Sequence, residues 1–372
     1  MRFEKTFIPY GVYWSTPFCK WQGSLAHLNA IPFGARVAAG ALAARKVDPA
    51  TQIDGLVLGM TIPQKSGLYA APWITALMGA EGITGTLVSQ ACATGARTLA
   101  TAAAEVEVSG ERTVLAITAD RCSNGPHVYY PNPLGPGGTG DKEDIVLDSF
   151  GNDPWAKNSM IQTAENVAAE AGFSREAQEE TTLVRFRQYQ DALAKDGAFL
   201  KRFLVTPLEV PDASGKKVVA TVTGDEGVFA TTVEGLKGLR PVLPNGTVTF
   251  GTQTHPADGS CAIVTTSRER ARALGRKPVE VQLLSYGQGR AKKGFMAMAT
   301  VPAARAALDA AGVKIDQCKV VKTHNPFAVN DLYFACMLCK ERLACRSSPS
   351  RSGERARRLD HNRCCGHAAA SV

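Results

Sequence analysis

An α/β fold made of two related halves is predicted by two passages that share one design. Residues 34 to 64, GARVAAGALAARKVDPATQIDGLVLGMTIPQ, join an Ala-rich helical stretch to a polar turn at Asp48-Pro49 and an apolar run from Ile53 to Leu58. Residues 301 to 328, VPAARAALDAAGVKIDQCKVVKTHNPFA, repeat the order with a helix from Ala303, a stop at Gly312 and a strand near Lys319 to Lys322. Helix, turn and strand recurring at similar lengths point to a duplicated α/β core, although any α/β protein holds several such units.

The intervening chain reads differently. Residues 124 to 144, NGPHVYYPNPLGPGGTGDKED, cluster Pro and Gly in a way that argues against regular structure. Residues 174 to 197, SREAQEETTLVRFRQYQDALAKDG, read as an amphipathic helix. Residues 246 to 266 return to strand composition around a tight, Gly-bounded loop. An insertion of this kind usually covers a site.

At 372 residues, 45% hydrophobic and 20% charged, the chain can bury a large core and is long enough for about two domains. No apolar run approaches the roughly 20 residues of a membrane span, and the opening MRFEKTFIPYGVYW lacks a secretory signal's apolar core, so a cytoplasmic protein is expected. The net charge of +8 is uneven. From Cys336 onward one Lys and seven Arg face two Glu and one Asp, a net of +5, which leaves +3 for the other 335 residues. A nearly neutral body and a basic stretch almost without aromatics argue against nucleic-acid binding. Cysteine is uneven too: Cys336, Cys339, Cys345, Cys364 and Cys365 are half of the ten, all in the last 37 residues, which is no disulfide framework.

The stretch VSQACATGARTLATAAAEV, residues 88 to 106, carries the chemistry. A strand-like run leads to Cys92, after which small residues open an Ala-rich helix. Unpaired N–H groups and the partial positive charge of a helix N-terminus favour a thiolate there, and Ala93, Thr94 and Gly95 leave room for a substrate. The competing reading is a small buried cysteine packing strand against helix. On these residues alone the two stand level.

Six segments in order tip the balance, because together they resemble the thiolase family of acyl-CoA acyltransferases. STPFCKWQGSLA (15 to 26) is similar to that family's opening R-T-P-F/I-G-x-F/W-x-G-S-L, with Ser15 where Arg is usual. SQACATGA resembles the segment around the family's reactive cysteine, DRCSNGPH (120 to 127) its E-S-M-S-x-x-P, and SMIQTAENVA (159 to 168) its H/S-M-G-x-T-A-E-N. GTVTFGTQTHPADGSCAIV (246 to 264) resembles G-T-V-T-A-G-N-A-S-x-x-x-D-G-A-A-A. KTHNPFAVND (322 to 331) matches the N-E-A-F or H-D-x-F segment at His324 to Phe327, and the His there resembles the sterol-carrier-like branch.

The resemblance covers residues 1 to about 335 and implies a thiolase-like α/β fold: two βαβαβαββ halves in a five-layered core with a loop insertion. It divides the chain into a first half over 1–270 with the insertion at about 123–247, an incomplete second half over 271–335, and a Cys- and Arg-rich tail over 336–372. It implies that Cys92 attacks an acyl-CoA thioester and passes the acyl group to coenzyme A or to the α-carbon of a second acyl-CoA. His324 would then help hold the thioester oxygen, where developing negative charge needs a fixed donor. Ser159, Met160, Thr254 and Phe327 fall at substrate-binding positions, with core packing the alternative for Met160 and turn formation for Thr254. No permanently bound cofactor and no metal are expected; coenzyme A enters as substrate or product. Homodimers or homotetramers paired through the first half are implied as well. His127 and His255 read as surface residues, and Cys19, Cys122, Cys261 and Cys318 as buried small ones.

The pattern breaks after Ala335. The family carries a G-H-P motif whose His activates the nucleophile and a C-x-G-x-G motif whose Cys moves the α-carbon proton, and neither occurs in this sequence. Residues 336 to 372 fit a shifted reading frame, a divergent terminus in a protein that has lost condensation, or a zinc site from Cys336 and Cys339 with His361, Cys364, Cys365 and His367, a spacing that matches no usual finger. The expected function is therefore an acyl-CoA C-acyltransferase in which acylation can outlast condensation. A ketoacyl synthase and a non-catalytic lipid-binding or partner subunit are the alternatives.

Overall fold

The computed structural model describes residues 1–132, 134 and 140–344, with side chains described only as far as Leu338. Three short strands come first: β1 (Phe7–Pro9), β2 (Tyr13–Ser15) and β3 (Cys19–Lys20). Helix α1 (Ala30–Ala44) starts at Asn29, whose side chain accepts the Ile31 N–H at 3.0 Å and so satisfies one of the first unpaired donors. The predicted turn at Asp48-Pro49 is itself a one-turn helix, α2 (Pro49–Gln52): Asp48 caps it, and Pro49 suits the first position because no N–H is needed there. Then β4 (Gly55–Gly59), α3 (Ala70–Leu77), β5 (Thr84–Val88), α4 (Thr94–Ser109) and β6 (Val114–Asp120) alternate strand and helix.

The insertion holds β7 (His127–Tyr130), β8 (Asp141–Asp144), α5 (Leu147–Gly151), α6 (Met160–Ala171), α7 (Arg175–Gly197), β9 (Leu208–Pro211), β10 (Val218–Val222) and α8 (Val233–Lys237). The chain returns through β11 (Ala257–Thr265), α9 (Arg268–Leu274), β12 (Glu280–Gln282), α10 (Thr300–Ala311) and α11 (Ala328–Ala344).

The main sheet runs β2-β11-β6-β4-β5, with β3 also paired to β11. β4 is parallel to both neighbours, whereas β11 is antiparallel to β6 and β2. Strand periodicity sorts the core. Leu56, Leu58, Leu115 and Ile117 point to the face covered by α1 and α3, while Val57, Val114 and Ala116 point to the face covered by α4 with Ala102 and Val106. Coverage on both faces explains why every residue of β4 is buried. A second core gathers Val167 and Phe173 with Val248, Phe327, Val329 and Leu332 beneath α6 and α11.

Four expectations need correcting. Residues 124 to 144 are not wholly irregular, because β7 and β8 pair antiparallel from His127 with Asp144 to Tyr130 with Asp141. Pro and Gly sit between the arms and leave the arms free to pair. No strand forms at Lys319 to Lys322, since no other described strand offers it a ladder and Val320 is exposed. The boundary at 335/336 falls inside α11, whose Leu338 is buried, so helix crosses the point where the family pattern ends. Helix α7 is present, but its buried residues are the polar Gln178, Glu179 and Thr181 rather than an apolar stripe. It docks by hydrogen bonds, as when Arg175 donates to the carbonyls of Leu236, Lys237 and Leu239. Cys345, His361, Cys364, Cys365 and His367 lie outside the described residues, as does the tail from 345 onward.

Candidate active site

Cys92 sits on the turn between β5 and α4, at the carboxyl end of parallel strands where open α/β sheets place their sites. The turn is built by Thr94. Its hydroxyl accepts the Gln90 N–H at 2.8 Å and donates to the Ala91 carbonyl at 2.7 Å, and the Thr94 and Ala93 N–H groups close on Ala91 and Gln90. Ala91 is thereby held at a φ of 45°, in the left-handed region. The neighbouring strand ends are tied in as well: Asp120, the last residue of β6, accepts the N–H groups of Thr61 and Ile62 at 2.8 and 2.9 Å. Gly59 ends β4 directly beneath Thr94 and Thr98, where a Cβ would strike both.

The thiol is exposed at this turn. Its pKa is nevertheless raised, because protein surrounds the sulfur closely enough that desolvation outweighs the pull of its own backbone N–H. This corrects the expectation of a thiolate-prone cysteine: Thr94 is the first helical residue, so the helix begins beyond Cys92. Cys92 is thus a neutral, accessible thiol that needs a base.

A second group of residues surrounds a cavity of about 570 Å³ lined by Thr254, His255, His324, Phe229 and Phe250. Two segments zip together to form its floor. The Thr254 N–H donates to the Pro326 carbonyl at 2.8 Å and the Ala328 N–H to that of Thr252 at 2.9 Å, with Gln253 bridging Phe327. Thr254 and His324, predicted separately, are thereby brought to one wall. His324 is exposed by surface area, yet the protein packed around its ring lowers its pKa by desolvation, against an opposing pull from Asp331, so the neutral imidazole is favoured at neutral pH.

The other predicted residues lie elsewhere. Ser159 caps α6, its hydroxyl accepting the Gln162 N–H at 3.2 Å. Met160 packs against the second core, and Phe327 is buried within it. Cys92, Ser159, Met160 and Phe327 do not line the cavity. His127 is exposed as expected, but His255 is half-buried on the cavity wall, its ring nitrogens 3.0 Å from the Pro256 carbonyl and 3.3 Å from that of Gly227. Cys19 is buried, whereas Cys122, Cys261 and Cys318 are only partly so. Reading the sequence missed Arg185 and Asp331 too, since 146 positions separate them and only folding makes them a pair.

The family profile described as "Thiolase, N-terminal domain" matches residues 14–269. The chain belongs to the thiolase family. The acetyl-CoA acetyltransferase of Yarrowia lipolytica is 30% identical over 315 residues, which is 84% of this chain and 77% of that protein. The acetyl-CoA acetyltransferase of Escherichia coli is 29% identical over 323 residues, 85% of this chain and 80% of the relative. Among solved structures, human mitochondrial 3-ketoacyl-CoA thiolase in complex with CoA superposes with a TM-score of 0.78 at 25% identity, over 90% of this chain and 82% of that one. The α/β architecture is therefore that of a thiolase. Among the described residues, no helix is long and apolar enough to cross a membrane.

Proposed function

We propose that this thiolase-family chain is an acyl-CoA C-acyltransferase that takes an acyl group from acyl-CoA onto Cys92. The observation that carries the reading is the turn itself: an exposed cysteine is fixed at the carboxyl end of a parallel sheet by Thr94. Attack by Cys92 Sγ on the thioester carbonyl forms the new C–S bond and expels coenzyme A as thiolate. The proton leaving Cys92 passes through water to the departing coenzyme A thiolate, so the transfer is neutral overall, and coenzyme A is both product here and acceptor in reverse. The relatives support acyl-CoA and coenzyme A as ligands, and no permanently bound cofactor is part of this reading.

Thr254 and His324 serve as substrate contacts in the cavity, whose volume suits a small-molecule ligand. His324 supplies an N–H to the thioester oxygen, and its lowered pKa suits a neutral donor. Ser159, Met160 and Phe327 act indirectly, as the cap of α6 and as packing in the second core. Nucleophile and proton-transfer base are separate requirements, so acylation of Cys92 and carbon–carbon bond formation are separable steps.

A homodimer or homotetramer paired through the first half is part of the proposal. It is supported by β5, an edge strand whose residues are exposed or half-exposed and whose unpaired backbone edge is a template for another chain. A cytoplasmic location accords with free thiols at Cys19, Cys92, Cys122 and Cys261. The test is a rapid-mix assay with acetyl-CoA. A stoichiometric burst of coenzyme A is the result expected, and no burst from the folded protein would refute the acyl-enzyme.

A further inference from the structure

Resting on the reading of His324 as a thioester-oxygen donor, we propose that Arg185 and Asp331 are positioning residues that hold the turn from Thr323 to Phe327 and so aim His324 into the cavity. Both sequence neighbours of His324 are tied to one carboxylate. Thr323 donates its hydroxyl to Asp331 Oδ1, and the Asn325 amide donates to Oδ2 at 3.4 Å. Asp331 is buried in the first turn of α11, where the helix dipole favours a negative charge.

Arg185 reaches across from α7 to complete the arrangement. Its Nε donates to Asp331 Oδ2 at 2.6 Å, one terminal nitrogen to Thr323 Oγ1 at 3.3 Å, and the other to Gln188 at 2.9 Å. From the opposite side the Thr254 N–H holds the Pro326 carbonyl. The backbone is thus anchored on each side of His324, while among the described residues the imidazole itself has no hydrogen-bond partner. A ring that is fixed by its neighbours and left without a protein partner is arranged for a ligand. Arg185, Asp331 and His324 all line the same cavity.

A fixed donor matters because a displacement on the order of 1 Å costs about a hundredfold in rate. The test compares wild type with Asp331→Asn, Thr323→Val and Arg185→Lys, using acetyl-CoA as probe. Two quantities are read: the single-turnover rate of Cys92 acylation across acetyl-CoA concentration, and the His324 ring signals by NMR. Asp331→Asn is expected to slow acylation at saturation by about tenfold to a hundredfold with little change in half-saturation, with Thr323→Val milder and Arg185→Lys also milder, because Lys keeps the charge but not the three contacts of the guanidinium. The His324 signals shift most in Asp331→Asn and by less in Thr323→Val and Arg185→Lys. If Asp331→Asn fails to fold, Thr323→Val decides. Folded variants with wild-type acylation and unmoved His324 signals overturn the proposal. If wild type does not acylate Cys92 at all, the proposed function fails, and the NMR comparison alone then supports or overturns the positioning.

Discussion

Thr94 and Gln90 are joined by a 2.8 Å hydrogen bond from the Gln90 N–H to a hydroxyl that is almost fully buried and also donates to Ala91. That one side chain therefore determines the path of the main chain on either side of the nucleophile. Thr94→Val keeps the shape but leaves the Gln90 amide without its partner and the Ala91 carbonyl with the Thr94 N–H alone, and a lost pairing of this kind costs about 1–3 kcal/mol. The loss is expected in chemical denaturation, together with slower modification of Cys92. Thr94→Ser keeps the hydroxyl and should stay within about 1 kcal/mol of wild type.

Ala91 is strained by the same turn. A left-handed conformation costs a residue with a Cβ roughly 1–2 kcal/mol, against about 0.5–1 kcal/mol for the greater chain freedom of glycine. Ala91→Gly should therefore match or exceed wild-type stability by up to about 1 kcal/mol, while Ala91→Val lowers it. A denaturation midpoint for Ala91→Val above that of Ala91→Gly would show that the φ of 45° is not being enforced.

The sheet core gives a stability prediction independent of the site. Leu58 is fully buried between β4 and the helices α1 and α3, so Leu58→Ala should cost about 2–5 kcal/mol in transfer and cavity energy. Equilibrium unfolding measures it directly, and a cost below about 1 kcal/mol would place this strand outside the core.

Much of this was legible beforehand, and the failures have physical causes. The Ala-rich helices, the Gly312 stop and the run to Leu58 appear as predicted because local periodicity and capping decide them. Lys319 to Lys322 has the composition of a strand, but a ladder needs a partner that local sequence does not supply. Thr254 and His324 were found through motifs, whereas Asp331 with Arg185 and the cavity wall at His255 depend on contacts between distant segments. The acidity of Cys92 was misjudged because helix position suggests a dipole, while the surrounding protein sets the desolvation that exceeds it.

Thiol reactivity follows with a definite sign. A raised pKa means that the neutral thiol is favoured, so the thiolate appears only at higher pH than in an ordinary cysteine, whose pKa is about 8.5. Iodoacetamide should modify Cys92 before Cys19 and Cys122, whose thiols burial pushes up to about 12. Its pH profile should reach half-maximum above the ordinary cysteine value. A half-maximal rate at or below that value would mean that a positive group lowers the pKa after all.

Whether Cys92 carries the acyl group is decided by intact-mass and peptide mass spectrometry after incubation with acetyl-CoA. A single acetyl adduct on the peptide holding Cys92, discharged by added coenzyme A and absent from Cys92→Ala, is the expected result. No adduct on the folded wild-type protein, or an adduct that persists in Cys92→Ala, would contradict it.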